Sequence, residues 1–270
     1  MNILLTGAGS GIGKATAEYF IKCGHTVYGI DIKFGDAVNG VIRLFADITD
    51  EAQLADIKNR LTSDGIKLDA IISVAGIHKM ASLTESDYSL MKRVIDVNLC
   101  GAMLTCRVFH SLLSPSGRII LITSEVAYLD PMPFNGLYSV SKTALECYAQ
   151  ALRQEINLLD QKVITIRPGA IKTPLCDGSL TDTESLAAAT ELYKNQASRF
   201  LGITKRFMGK PMEPEKLSRL IYRATVKKHP RLVYKKHRNL GLVMLNLLPK
   251  RLQCTIIKLL LNRKNKRSDI

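Results

Sequence analysis

Tyr138 and Lys142 stand four residues apart in "LYSVSKTAL", a spacing that puts both side chains on one face of a helix. A free phenol titrates near pH 10, so about a thousandth of it is ionised at pH 7. Making it a useful base takes a shift of roughly 3 units, about 4 kcal/mol. A neighbouring ammonium has the right sign to supply part of that. Ser124 directly follows the apolar run "GRIILIT" and carries a hydroxyl suited to holding a substrate oxygen. The three residue types together describe proton transfer to or from an oxygen.

A second cluster lies at the start of the chain. In "LLTGAGSGIGKA" Gly7, Gly9, Gly11 and Gly13 separate an apolar run from an amphipathic one. A glycine turn between strand and helix brings backbone N–H groups and a helix N-terminus towards an anion, and suits close approach to a phosphate. The pattern G-x-G-x-x-G does not fit, because Ile12 occupies the place of its third glycine. T-G-x-x-x-G-x-G does fit, through Thr6, Gly7, Gly11 and Gly13. Asp31 ends the next apolar run, "VYGID", eighteen residues after Gly13. That is close to the roughly 20 residues at which an acid would meet a ribose 2′-hydroxyl. A carboxylate there repels a 2′-phosphate, so NAD is expected over NADP. Neither Ser10 nor Ile32 is basic, although Lys33 is close by.

These groups need a scaffold that carries them to one edge. Runs at 2–6, 26–31, 41–46, 69–75, 117–123 and 162–167 read as strands, most of them apolar on both faces. Helical patterns at 11–22, 51–63, 84–113 (with a break near Asn98) and 137–159 lie between them. Such alternation predicts a doubly wound parallel α/β sheet, a three-layer Rossmann fold with ligands at the carboxyl ends of its strands. Residues 174–212 read as a helical lid over that edge, 213–227 as a further helix and 231–234 as a final strand. The expected division is a catalytic domain over 1–235 and a basic amphipathic extension over 236–270.

In its motifs the chain resembles the short-chain dehydrogenase/reductase family in its compact single-domain form, from residue 1 to about 235. The resemblance rests on TGxxxGxG at 6–13, "ADI" at 46–48, "VAG" at 74–76, "VNLCG" at 97–101, Ser124, Tyr138-x-x-x-Lys142 and "RPGAIKTP" at 167–174. It implies Tyr138 as general acid/base and Ser124 as the group that orients and polarises the substrate oxygen. Lys142 would hold the nicotinamide ribose and lower the pKa of Tyr138. Asn98 would interrupt its helix and hold a water for a proton relay. Thr6, Gly7, Ser10, Gly11, Ile12 and Gly13 would form the pyrophosphate turn, and Asp47 and Ile48 would line the adenine site. Ala75 and Gly76 would leave room for the cofactor, and Ile171 and Thr173, after Pro168-Gly169, would face the carboxamide. The chain departs from the family in having Ser73-Val74-Ala75-Gly76 where Asn-Asn-Ala-Gly is usual, and one extra residue between Ser124 and Tyr138. The resemblance also implies a homodimer or homotetramer built on the helices at 98–113 and 137–159.

Charge bears on partners. The net +14 is uneven: residues 227–270 hold 13 Lys/Arg against Asp269, and the other 226 residues hold 25 basic and 23 acidic side chains. A basic tail on a near-neutral body argues against a nucleic-acid binder. Apolar runs of about nine residues in the tail fall short of the 18–20 or so needed to span a bilayer. Leu252, Ile256, Leu259 and Leu260 share a helical face among cations, which permits peripheral membrane contact, while packing on the protein's own domain or dimer is favoured. "MNILLTG" is too short for a leader, so a cytoplasmic location is expected. The six scattered cysteines are expected to be buried free thiols, with no metal site. The substrate edge (76–82, 125–134 and 174–212) offers residues such as His78, Met80, Val126, Tyr128, Leu129, Met132, Phe134, Leu175, Leu186, Leu192, Tyr193, Phe200 and Phe207. Without an arginine cluster, it favours a small hydrophobic secondary alcohol or ketone, a hydroxysteroid or bile acid being the first expectation. A 3-oxoacyl reductase of fatty-acid type is the alternative within enzymes. A nucleotide-sensing or membrane-adaptor protein is the alternative outside them.

Overall fold

The computed structural model describes residues 1–35, 39–207 and 211–262, with the side chains of 206 and 207 outside that description. In chain order it contains β1 (Asn2–Thr6), α1 (Gly11–Lys22), β2 (Thr26–Asp31), β3 (Val41–Phe45), α2 (Glu51–Ser63) and β4 (Leu68–Ser73). Then come α3 (Tyr88–Ile95), a π-turn (Asp96–Cys100), α4 (Gly101–Phe109), β5 (Leu113–Ile122) and a 3₁₀ turn (Glu125–Tyr128). The last part holds α5 (Gly136–Ile156), β6 (Lys162–Pro168), α6 (Pro174–Ala189), α7 (Lys194–Phe207), α8 (Pro214–Val226), β7 (Val233–Lys236), α9 (Leu240–Leu245) and α10 (Lys250–Asn262).

Alternation within each strand builds the three layers. In β1, Leu4 joins a core under α2, α4 and α5 that includes Leu54, Phe109 and Leu145. Its neighbours Ile3 and Leu5 join the opposite core, with Phe20 of α1 and Leu217 and Ile221 of α8. A strand that is apolar on both faces therefore sits between two helical layers. All pairings are parallel, in the order β3-β2-β1-β4-β5-β6-β7. The order reverses between β1 and β4, and doubly wound folds open a crevice at that point, beyond the strand ends.

Differences from the sequence reading lie at element ends and in the long helix. The helix expected over 84–113 starts at Tyr88 and is divided by the π-turn at the expected break. The last strand falls two residues later than read, at 233–236, so the sheet runs one residue past the boundary drawn at 235. All six cysteines are free thiols, but only Cys106 is buried; Cys147 and Cys254 are exposed.

The basic extension packs on its own chain. Leu261 of α10 enters a small core with Phe134, Ala197 and Phe200. Gln196 Nε2 donates to Asn262 Oδ1 at 2.7 Å, and Asn246 Oδ1 accepts the Asp130 N–H at 2.6 Å. The tail therefore lies over the lid and the 3₁₀ turn.

Candidate active site and dinucleotide cleft

The glycines of the first turn also answer a packing need inside the protein. A Cβ on Gly13 would stand 1.8 Å from the Gly7 carbonyl oxygen, and one on Gly9 would stand 2.0 Å from the Lys33 oxygen. Gly7 has φ +71°, and its Cβ would meet the Ala75 nitrogen at 2.8 Å. What approaches these glycines is the protein's own backbone. The compact turn that results points the start of α1 into the crevice. Ser10, its N-cap, makes no side-chain capping bond and the first turn holds no acid, so the α1 N–H groups suit a phosphate. Gly13→Ala should destabilise the protein by more than about 2 kcal/mol in urea unfolding, because carbonyl and methyl cannot share that space.

Strand ends supply the rest of the nucleotide groove. Asp31 lines it, with its carboxylate accepting the Gly9 N–H at 2.8 Å and the Lys33 N–H at 3.2 Å. Asp47 and Ile48 also line it. The Asp47 carboxylate takes the Thr49 N–H and hydroxyl at 2.9 and 2.7 Å and lies 3.4 Å from Arg93. Burial alone would raise its pKa, but the Thr49 bonds and the Arg93 charge outweigh that and lower it. Arg93 is a groove residue that sequence reasoning missed, since nothing in α3 marks it. Thr6 does not reach the groove. It is fully buried, and its hydroxyl accepts the N–H groups of Val74 and Ala75 at 3.2 and 3.3 Å. That bond braces the strand end where the family's asparagines are missing, and Ala75 and Gly76 still line the groove.

Asn98 stands behind the crevice wall. The π-turn sets it against the loop after β4, fully buried. There it accepts the Ile77 N–H at 2.7 Å and donates to the Ile77 oxygen and the Ser141 hydroxyl, both at 2.9 Å. Its amide thus joins the β4 loop to α5, one turn from Tyr138, and it does not line the crevice.

Ser124, Tyr138 and Lys142 all line the crevice. The extra residue between Ser124 and Tyr138 is absorbed by the 3₁₀ turn and by Phe134, whose φ of +65° reverses the chain before α5. Burial pushes the phenol up to about 12, and the nearby Ser124 hydroxyl draws it only partly back. Burial pulls Lys142 down to about 8; its Nζ lies 5.8 Å from the Tyr138 ring centre and donates to the Ile122 oxygen at 3.2 Å. The lysine was expected to acidify the phenol. In the protein by itself desolvation prevails over that attraction, because the same burial that brings the pair together disfavours charge on both. His78 packs edge-on against Tyr138, ring centres 4.6 Å apart, and bonds Asn135 at 3.0 Å.

Beyond β6, Pro168, Gly169, Ile171 and Thr173 line the crevice. Thr173 caps α6 through a bond from the Cys176 N–H at 3.2 Å. A Cβ on Gly169 would stand 1.8 Å from the His237 oxygen, so only glycine lets the extension pass at this point.

The crevice has a volume of about 540 Å³. Its outer wall includes Met80, Val126, Met132, Leu175 and Phe200, as expected, and also Glu125, Asn239 and Leu242. Glu125 is buried, which raises its pKa, and it accepts the Asn239 N–H at 2.7 Å. The last two wall residues belong to the tail, which the sequence reading had set apart from the domain. Other expected wall residues do not reach it. Phe134, Leu186 and Tyr193 pack inside the lid, Leu192 is exposed, and Tyr128 turns towards Arg167 and Lys235. Leu129 is not in the wall either, and the side chain of Phe207 lies outside the described residues.

The family model for short chain dehydrogenases matches residues 1–184. The chain belongs to the short-chain dehydrogenase family. A 3-ketodihydrosphingosine reductase from Bacteroides thetaiotaomicron is 29% identical over 233 residues, covering 84% of each chain. A short-chain dehydrogenase from Burkholderia cenocepacia, solved with NADP, superposes with a TM-score of 0.72 at 19% identity, over 94% of this chain and 95% of that one. A 3-ketoacyl-(acyl-carrier-protein) reductase from Brucella melitensis, solved with NADH, gives 0.68 at 21% identity, over 87% and 95%. This short-chain dehydrogenase is therefore an NAD(P)-dependent oxidoreductase acting between alcohol and carbonyl. The uncapped α1 terminus, the groove at Asp31 and Asp47, and the Tyr138–Lys142 floor fit a nicotinamide dinucleotide. Among the described residues no cluster of three metal-ligating side chains occurs, and no helix is long and apolar enough to cross a membrane.

Proposed function

We propose that this short-chain dehydrogenase reduces a ketone beside a long apolar chain to a secondary alcohol, using NADH. The observation that carries the reading is the meeting of Ser124, Tyr138 and Lys142 in one crevice whose outer wall is apolar. When bound, the reduced nicotinamide supplies hydride to the carbonyl carbon. Ser124 and Tyr138 hold the carbonyl oxygen, and Tyr138 gives it the proton as the C=O π bond breaks. A phenol held near 12 is protonated at neutral pH, which suits a proton donor. Lys142 would hold the ribose and carry the charge that stabilises the phenolate left behind. Asn98 acts as a positioning residue through Ile77 and Ser141.

The substrate preference is supported by Met80, Val126, Met132, Phe200 and Leu242, and by the relative that is named for a long-chain keto lipid. A hydroxysteroid shares the apolar character and is the competing occupant. A screen of a 3-keto amino alcohol with a long alkyl chain, a 3-oxoacyl thioester and 3-keto steroids separates them. The reading expects kcat/KM at least about tenfold higher on the first, about 1.4 kcal/mol of transition-state preference. Preference for a steroid or thioester overturns it.

NADH preference rests on Asp31, whose carboxylate stands at the groove. NADPH should bind at least about tenfold more weakly than NADH in calorimetry, and Asp31→Ser should narrow the gap. Met103 of α4 and Val140 of α5 are exposed, which supports a homo-oligomer built on those helices.

A further inference from the structure

From α9 and α10 we infer a docking surface for an anionic membrane, placed at the mouth of the crevice. On α9 and the turn after it, Leu240, Met244 and Leu247 are 72%, 69% and 79% exposed and recur at helical spacing. On α10, Leu252, Leu259 and Leu260 are 45%, 66% and 47% exposed, while Gln253 and Leu261 are buried. The tail therefore packs on its own chain with one face and leaves the apolar stripe outside. Six long apolar side chains this open need a cover.

Charge selects the cover. Arg251 and Lys258 are exposed on α10 with these leucines, and no Asp or Glu occurs between Glu215 and Asp269. A second copy of the chain would bring the same positive face against itself, which like charge opposes. Anionic phospholipid offers negative headgroups for the cations and acyl chains for the leucines. The geometry is that of a helix lying on a surface. The thirteen residues of α10 span about 20 Å, short of the roughly 30 Å hydrocarbon layer.

The same segment also builds the enzyme. Leu242 and Asn239 line the crevice, while Leu240 and Met244 point away from it. Docking would thus set the crevice mouth against the bilayer, so that an apolar substrate passes between them without crossing water. That delivery rests on the proposed lipid ketone; the docking surface does not.

Co-sedimentation of the full chain with vesicles of phosphatidylcholine, with and without phosphatidylglycerol, tests the surface. Binding is expected on the anionic vesicles and should weaken with salt. A triple variant, Leu240→Ser with Met244→Ser and Leu247→Ser, should lower partition at least about tenfold. A second variant, Arg251→Glu with Lys258→Glu, should do the same on anionic vesicles only. Urea unfolding and turnover of a short water-soluble ketone should match the parent in both variants. The inference is overturned if the parent stays in the supernatant, or if the triple variant binds as well as the parent. It is also overturned if light scattering shows a dimer that the triple variant dissolves. Vesicle binding is read without turnover, so its failure and a failure of the substrate reading remain distinguishable.

Discussion

Tyr138→Phe should lower kcat by about a thousandfold while leaving cofactor binding within about twofold, because a positioned proton donor contributes some 10²–10⁴ in rate. The variant keeps the ring, and with it the edge-on contact to His78 at 4.6 Å. What it removes is the hydroxyl that shares the crevice with Ser124. Folding stability should hardly change, since the hydroxyl is lost from a site that opens on the crevice, where water can meet the groups left behind. Single-turnover reduction with saturating NADH separates chemistry from binding. A kcat within about fivefold of the parent would remove Tyr138 from the proton path. Loss of NADH binding would instead show the phenol to be a structural part of the groove.

Lys142→Met should make the protein more stable and nearly inactive. The ammonium is buried, and its pKa falls from 10.5 to about 8. A shift of that size represents about 3 kcal/mol that the fold loses by keeping a charge out of water. Below pH 8 both folded and unfolded chains hold the proton, so the whole penalty is present. Between about 8 and 10.5 the unfolded chain still holds a proton that the folded chain has released, so parent stability rises with pH. Methionine fills similar volume without charge but gives up the bond to the Ile122 oxygen at 3.2 Å. The net expectation is a gain of about 1–3 kcal/mol at pH 7 that shrinks towards pH 10. Activity should fall at least about a hundredfold, through loss of ribose placement and of the charge beside the phenolate. Urea unfolding of the cofactor-free protein at pH 7 and pH 10 reads the first part, and steady-state kinetics reads the second. A variant less stable than the parent at pH 7 would show that the ammonium is better solvated than its burial implies.

Local rules made much of the architecture legible. Apolar runs on both strand faces and helical patterns between them imply a covered parallel sheet, and β1 shows why: Leu4 and its neighbours serve opposite cores. The spacing of Tyr138 and Lys142 implies a shared helical face, and both do line one crevice. Even the break near Asn98 was visible, as an interruption in a long helical pattern.

Contacts between distant segments were not legible, because no local pattern records them. Thr6 turned from cofactor to brace because Val74 and Ala75, almost seventy residues away, present their N–H groups to it. The glycines are required by carbonyls of Gly7 and Lys33 that fold back on them. Arg93, Asn239 and Leu242 became groove or crevice residues only when α3 and the tail were laid against the strand ends.

By itself the sequence determined the layer order, the edge at which the crevice opens and the polar residue types that line it, since these follow from periodicity and from spacing within single elements. The tertiary structure decided how those residues are charged and what surrounds them. Burial raises the phenol and lowers the ammonium, and the tail closes over the mouth of the crevice with its leucines still facing out. Desolvation and long-range packing depend on the whole surface that a group meets, and a string of residues carries no measure of that surface until it is folded.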